Sequence, residues 1–211
     1  MIAKNLFVHR PPEYFPALPF WALALHADTV IVADTFQYSK QTLQNRSRLR
    51  TPDGWQWITI PLKGGQRGHP IAEVEIDNTV PWRGKHRRSL QYNYRSAPYF
   101  EAYEDLFDAF FDADWSILGD ATIASMRIIA GLLELPTPGQ SSLGDALPEG
   151  HREILLEQDH PTSDSVVLEF EHPIYSQNFP GFEPGLSALD LIFNYGPEAS
   201  EIIRRGSGMT G

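Results

Sequence analysis

The chain contains no cysteine, so disulfides, thiolate zinc sites and a cysteine nucleophile are excluded together. It also lacks a long hydrophobic run. The longest apolar stretch, Phe15 to Ala27, is interrupted by Pro16, Pro19 and His26, and it is too short to span a bilayer. Residues Met1 to His9 carry one lysine and a short apolar run before Arg10-Pro11-Pro12. That is neither the hydrophobic region nor the cleavage site of a secretory signal, and a cytoplasmic protein is expected. There is no nucleophile elbow and no HExxH, and the 7 histidines lack the spacing of a metal site. No metal is expected, and no cofactor is indicated.

What the sequence does have is enough apolar residue, 42% of 211, to bury a full core. No repeat or low-complexity segment divides it. We read residues 1–205 as one α/β domain and 206–211 as a flexible tail. The charge is unevenly placed. Lys40 to Arg95 holds 11 Lys/Arg against 4 Asp/Glu, a local excess of +7 in a chain whose total is −10. Either this stretch receives an anionic ligand, or it pairs with the acidic remainder inside the fold. The overall acidity argues against nucleic acid as a partner.

Asn5 to Val8 reads as a short buried strand, Tyr14 to Ala27 as a helix with proline tolerated in its first turn, and Thr29 to Ala33 as a strand covered on both faces. This opening β-α-β unit predicts a parallel pair within a mixed, partly parallel sheet with flanking helices. Trp55 to Pro61 and Ile71 to Ile76 alternate as strands do, whereas Gln37, Asn45 and Arg46 fall in an exposed, irregular segment. Helices are predicted over Trp82 to Tyr94 (basic), Pro98 to Phe111 (acidic and aromatic) and Trp115 to Leu135. Pro136 to Pro148 reads as loop, Ser165 to Phe170 as a late strand, and Leu186 to Phe193 and Glu198 to Arg205 as terminal helices.

Several blocks, in order, resemble the WbqC-like family. They are His9-Arg10-Pro11 with Tyr14-Phe15-Pro16; Ala33 to Lys40 with Gln44-Asn45-Arg46; Trp57 to Pro61; Pro81-Trp82 with Lys85-His86 and Tyr94 to Phe100; and His172 to Tyr175 with Leu186 to Gly196. The family pattern usually has glutamine where this chain has Arg10. The resemblance implies a role in surface-polysaccharide or glycoconjugate biosynthesis. It points to a transferase acting on an anionic small molecule or a carrier-linked sugar, or else to a non-catalytic binding module of the same pathway.

His9 and Asp34 follow two strands expected to be parallel, so both reach the edge where open α/β sheets place ligands. They are the candidate catalytic pair, His9 as base and Asp34 as its partner; the alternatives are a strand-end histidine and an Asx-turn aspartate. Gln37, Asn45, Arg46 and His86 are candidate substrate contacts, with Arg46 and His86 reading an anion. Tyr99 and Tyr175 stack on a sugar ring or simply pack. Lys63, before Gly64-Gly65, belongs to a hairpin turn or holds phosphate. Ser187, Asp190 and Asn194 share one face of a late helix, where they cap and brace it or close the same cleft.

Overall fold

The computed structural model describes residues 5–141 and 150–210. A six-stranded sheet has the order β5-β2-β1-β6-β7-β8, with β1 at Leu6–Arg10, β2 at Thr29–Ala33, β5 at Gly139–Ser141, β6 at Arg152–Leu156, β7 at Val166–Phe170 and β8 at Ser207–Thr210. All neighbours are parallel except β7 and β8. The architecture is α/β, opening with β1, helix α1 (Leu18–His26) and β2. The helix starts with Pro19 in its first turn and buries six of its nine residues, Trp21 and Leu23 among them. An all-round apolar helix of this kind has to be enclosed, and α1 lies against β1, β6, β7 and α6 (Ala199–Arg205).

Register sorts the sheet residues into two rows. Val8, Val32, Ile154, Leu156 and Leu168 form one fully buried row. The other, with His9, Ile31, Glu153, Leu155 and Val167, is only half-buried. In a parallel sheet, whose two faces are normally both covered, a half-open row that holds a histidine and a carboxylate is where to look for a site.

Several segments depart from the sequence reading. Strand β1 runs on to Arg10, pairing with Val32, and stops at Pro11, which has no N–H to give; His9 is therefore inside the strand. Residues 71–76 are not a strand. Ile71–Glu73 forms a 3-10 turn after Pro70, and its N–H groups are spent on the Phe36 and Asp34 carbonyls (Ile71 N, 2.9 Å; Ala72 N, 2.9 Å). Arg46, expected in an exposed irregular segment, opens β3 (Arg46–Thr51), which pairs antiparallel with β4 (Gly54–Thr59). At the other end of the chain, residues 207–210 pair with β7 as an edge strand where a tail is expected. Within the expected loop at 136–148, Gly139–Ser141 instead pairs with β2 as the parallel edge strand β5, and residues 142–148 lie outside the described residues.

Helices α2 (Trp82–Tyr94), α3 (Phe100–Asp112), α4 (Leu118–Leu132) and α5 (Ala188–Tyr195) complete the core. The basic and acidic helices meet: Arg83 reaches Asp114 at 2.9 Å, and Arg87 reaches Asp108 at 3.1 Å and Asp112. Part of the charge asymmetry is thus neutralised inside the fold.

One residue between β1 and α1 ties much of this together. Phe15 is buried in the left-handed region at φ 44°, a conformation a bulky residue keeps only when its surroundings impose it. Its N–H donates to Ser125 Oγ of α4 at 3.1 Å. Its carbonyl accepts from Ser47 Oγ of β3 at 2.8 Å and from Ser187 Oγ, the N-cap of α5, at 2.9 Å.

Candidate functional site

In the sheet order, the chain passes from β1 to β2 in one direction and from β6 to β7 in the other. The reversal falls between β1 and β6, the place where strand ends splay connections apart and open a crevice. A cleft of about 370 Å³ lies there, lined by His9, Arg10, Pro11, Phe36, Glu153, Leu155, Asp159, His160 and Thr162. His9 packs its ring against Phe36, centroids 5.1 Å apart. Arg10 Nη1 and Asp159 Oδ2 form an ion pair of 2.6 Å. The same Asp159 oxygen accepts from Leu156 N at 3.1 Å, so the pair fastens the end of β1 to the end of β6.

Two carboxyls here are pushed above their ordinary range. Burial raises Glu153, against the pull of His9 and Arg10. Burial raises Glu13 further, to about 7, with Arg10 opposing and Asp159 adding. A histidine, an arginine and carboxyls whose proton affinity is raised by burial form a set suited to proton transfer on a bound polar molecule. The sequence reading finds His9 but misses Glu153, Asp159 and Glu13. The available signal is the short apolar run Ile154 to Leu156, which carries Glu153 at the start of a strand.

The remaining candidates are placed elsewhere. Asp34 is buried, and its Oδ2 accepts from Gln140 Nε2 on β5 at 2.7 Å; it does not line the cleft with His9. Gln37 is exposed and bridges to Pro70. Asn45 is buried and donates to the Ile60 carbonyl at 2.9 Å. Arg46 gives its guanidinium to the carbonyls of Thr42, at 3.2 Å, and Gln41, and lies 4.1 Å over the Trp57 ring. Lys63 pairs with Glu75 at 2.9 Å on the surface. Tyr99 stacks on Tyr103 and closes over Gly196, where a Cβ would meet its ring at 2.5 Å. Asn194 donates to the Asp190 carbonyl at 2.7 Å.

His86 is 5% exposed, with Nδ1 2.9 Å from the Tyr14 hydroxyl and its ring among Trp82 and Phe111. Burial pushes its pKa down to about 4, with the Thr59 carbonyl opposing. A neutral, enclosed imidazole has no charge to offer an anion. In an NMR pH titration the His86 ring should stay neutral through the range in which free histidine protonates and titrate near 4; a midpoint above about 6 would contradict its enclosure.

A second buried polar cluster surrounds Asp190, fully buried in α5. Burial lifts its pKa to about 6, while Tyr175, Tyr94 and Arg50 act to lower it. Tyr175 is thus a core residue, 7% exposed. Among the described residues there is no group of three or more His, Asp or Glu that could hold a metal ion, and no helix long and apolar enough to cross a membrane.

An uncharacterised protein of Mycobacterium tuberculosis is 30% identical over 219 residues, spanning 91% of this chain and 94% of the relative. No solved structure matches. Residues 11–160 and 148–202 match the WbqC-like protein family, a span that includes the turn after His9, the β3–β4 hairpin, α2 and the α5 cap, and the chain belongs to that family.

Proposed function

We propose that the protein is a cytoplasmic, transferase-like enzyme of surface-polysaccharide or glycoconjugate biosynthesis that acts on an anionic sugar intermediate in the cleft between β1 and β6. The observation that carries this reading is the position of His9 at the order reversal of the sheet, in one lining with Glu153 and Arg10. His9 acts as the base that takes a proton from an acceptor hydroxyl. Glu153, on the same row of the sheet, supports the imidazolium that results, in the role the sequence reading gives to Asp34. Asp34, with its carboxylate on Gln140, sets the end of β2 against β5. Arg10 supplies the positive charge, in place of Arg46 and His86.

A non-catalytic binding or assembly module is the second reading, favoured by the Arg10–Asp159 pair, which keeps the one arginine of the cleft engaged. The two separate on His9→Ala. With catalysis at His9, nucleotide-sugars or pyrophosphate at low salt raise the melting temperature of the wild type. The variant loses turnover of the stabilising nucleotide-sugar, while its urea midpoint corresponds to a change under about 1–2 kcal/mol. A pure binding module gives no turnover in either protein. Loss of folding in the alanine variant but not in His9→Gln would make His9 a structural residue and end the catalytic reading.

A further inference from the structure

A second groove lies between the β3–β4 turn and α2, with a volume of about 760 Å³. Lys85, Arg88, Ser89 and Tyr92 recur at helical spacing, so they form one stripe along α2. The helix divides its cations: Arg83 pairs with Asp114 and Arg87 with Asp108 and Asp112, whereas Lys85 and Arg88 are exposed, line the groove and have no carboxylate within ion-pair distance among the described residues. Tyr92 is 73% exposed, far more than a tyrosine that serves packing. The opposite wall contributes Asp53 and Gln56, side chains that read hydroxyls.

The independent observation is Asn93. It is 2% exposed, yet it lines the groove, and its Oδ1 is buried with no hydrogen-bond donor. The orientation of the amide is set, because Nδ2 donates to the Ser89 carbonyl at 2.8 Å. A buried acceptor without a donor is costly and uncommon, and a ligand that brings an O–H or N–H would satisfy it.

We propose that this groove binds an acidic sugar: a pyranose whose carboxylate or phosphate sits on Lys85 and Arg88, whose ring face lies on Tyr92, and whose hydroxyl donates to Asn93 Oδ1. Each requirement excludes something. A bare anion leaves Asn93 and Tyr92 unused. A neutral sugar leaves the two cations unused. The groove is a binding site additional to the β1–β6 cleft, and it stands whether or not His9 is catalytic.

The test is an NMR titration of the full chain, isotope-labelled, with glucuronic acid, glucose 6-phosphate, methyl glucoside and inorganic phosphate in separate arms. At least one acidic sugar should give saturable shifts at the amides of 53–56 and 88–93, and the tighter of the two identifies the anion as carboxylate or phosphate. The Lys85→Gln/Arg88→Gln variant should bind that sugar about tenfold more weakly, and Tyr92→Ala should also weaken it, both with unchanged urea midpoints since all three side chains are exposed. His9→Ala should leave the titration unaltered, which keeps this result separate from the fate of the cleft. Inorganic phosphate saturating the same amides as tightly as glucose 6-phosphate would reduce the groove to an anion patch and overturn the proposal. So would shifts centred elsewhere, or equal affinity in the double variant.

Discussion

Arg50→Ala should lower the stability of the fold by about 3–5 kcal/mol, the range for stripping one partner from a buried charged network. Arg50 is 2% exposed. Its Nε donates to Gln177 Oε1 at 3.1 Å, its Nη1 to the carbonyls of Thr51 and Gly54 at 2.5 and 2.7 Å, and its Nη2 to that of Pro180 at 2.7 Å. The guanidinium is what joins the hairpin to the segment at 177–180, and it also draws down the proton affinity of Asp190. Alanine leaves those acceptors buried without donors. Arg50→Lys should rescue little, because one ammonium cannot reproduce a planar fork that serves several acceptors in different directions. Urea midpoints of the three proteins measure this directly, and a midpoint for the alanine variant equal to that of wild type would refute the account.

Glu13→Gln should change the pH dependence of stability more than its value at any one pH. The Glu13 carboxyl holds its proton to about 7 in the folded protein, against 4.5 for the ordinary group. Between those two values the unfolded chain has released a proton that the folded chain keeps. The stability tied to Glu13 is therefore fully present below about 4.5 and is lost as the pH rises through about 7. Asp190 acts in the same direction up to about 6. His86 opposes both, since its pKa is lowered, and its contribution fades as the pH falls from 6.5 toward about 4. The wild-type curve is thus a composite, and the difference between variant and wild type isolates one group. Glutamine carries no titratable proton, so that difference should move in the variant's favour by on the order of 3 kcal/mol from acid to neutral pH. A flat difference across the range would mean that Glu13 is solvated.

Much of the framework is legible in the sequence because local pattern and global packing agree there. Thr29 to Ala33 is an almost continuous apolar run, and the strand has those bounds. Trp82 to Tyr94 has its limits set by Pro81 and by the end of its apolar spacing, and α2 matches them. Strand β3 is hidden because its alternating positions are Arg46, Arg48 and Arg50, which read as a solvated basic run. In the fold these cations lie on aromatic faces, Arg48 at 4.5 and 4.8 Å from the Trp55 and Trp57 rings, so the partner that makes the run a strand is on the other arm of the hairpin. The candidate site divides in the same way. His9 is found from its place near the end of a strand. Glu153 and Asp159 reach it only through the parallel pairing of β1 with β6, in which Phe7 meets Glu153, and no local pattern announces a partner so distant. His86 is legible as a residue but not as a role, because its burial depends on Tyr14, Trp82 and Phe111 arriving together.

The conformation of Phe15 has a consequence for the order in which the chain assembles. Its three serine ligands lie 32, 110 and 172 residues away in sequence, so no local segment can supply them. A chain that has made only its first β-α-β unit has no reason to hold a buried phenylalanine at positive φ, and relaxes to an ordinary conformation there. The left-handed state is held by β3, α4 and the start of α5 together, which makes this peptide a latch that cannot close before all three have docked. Partial structures are left unlatched and reversible, and the first turn of the protein is completed by residues near its end.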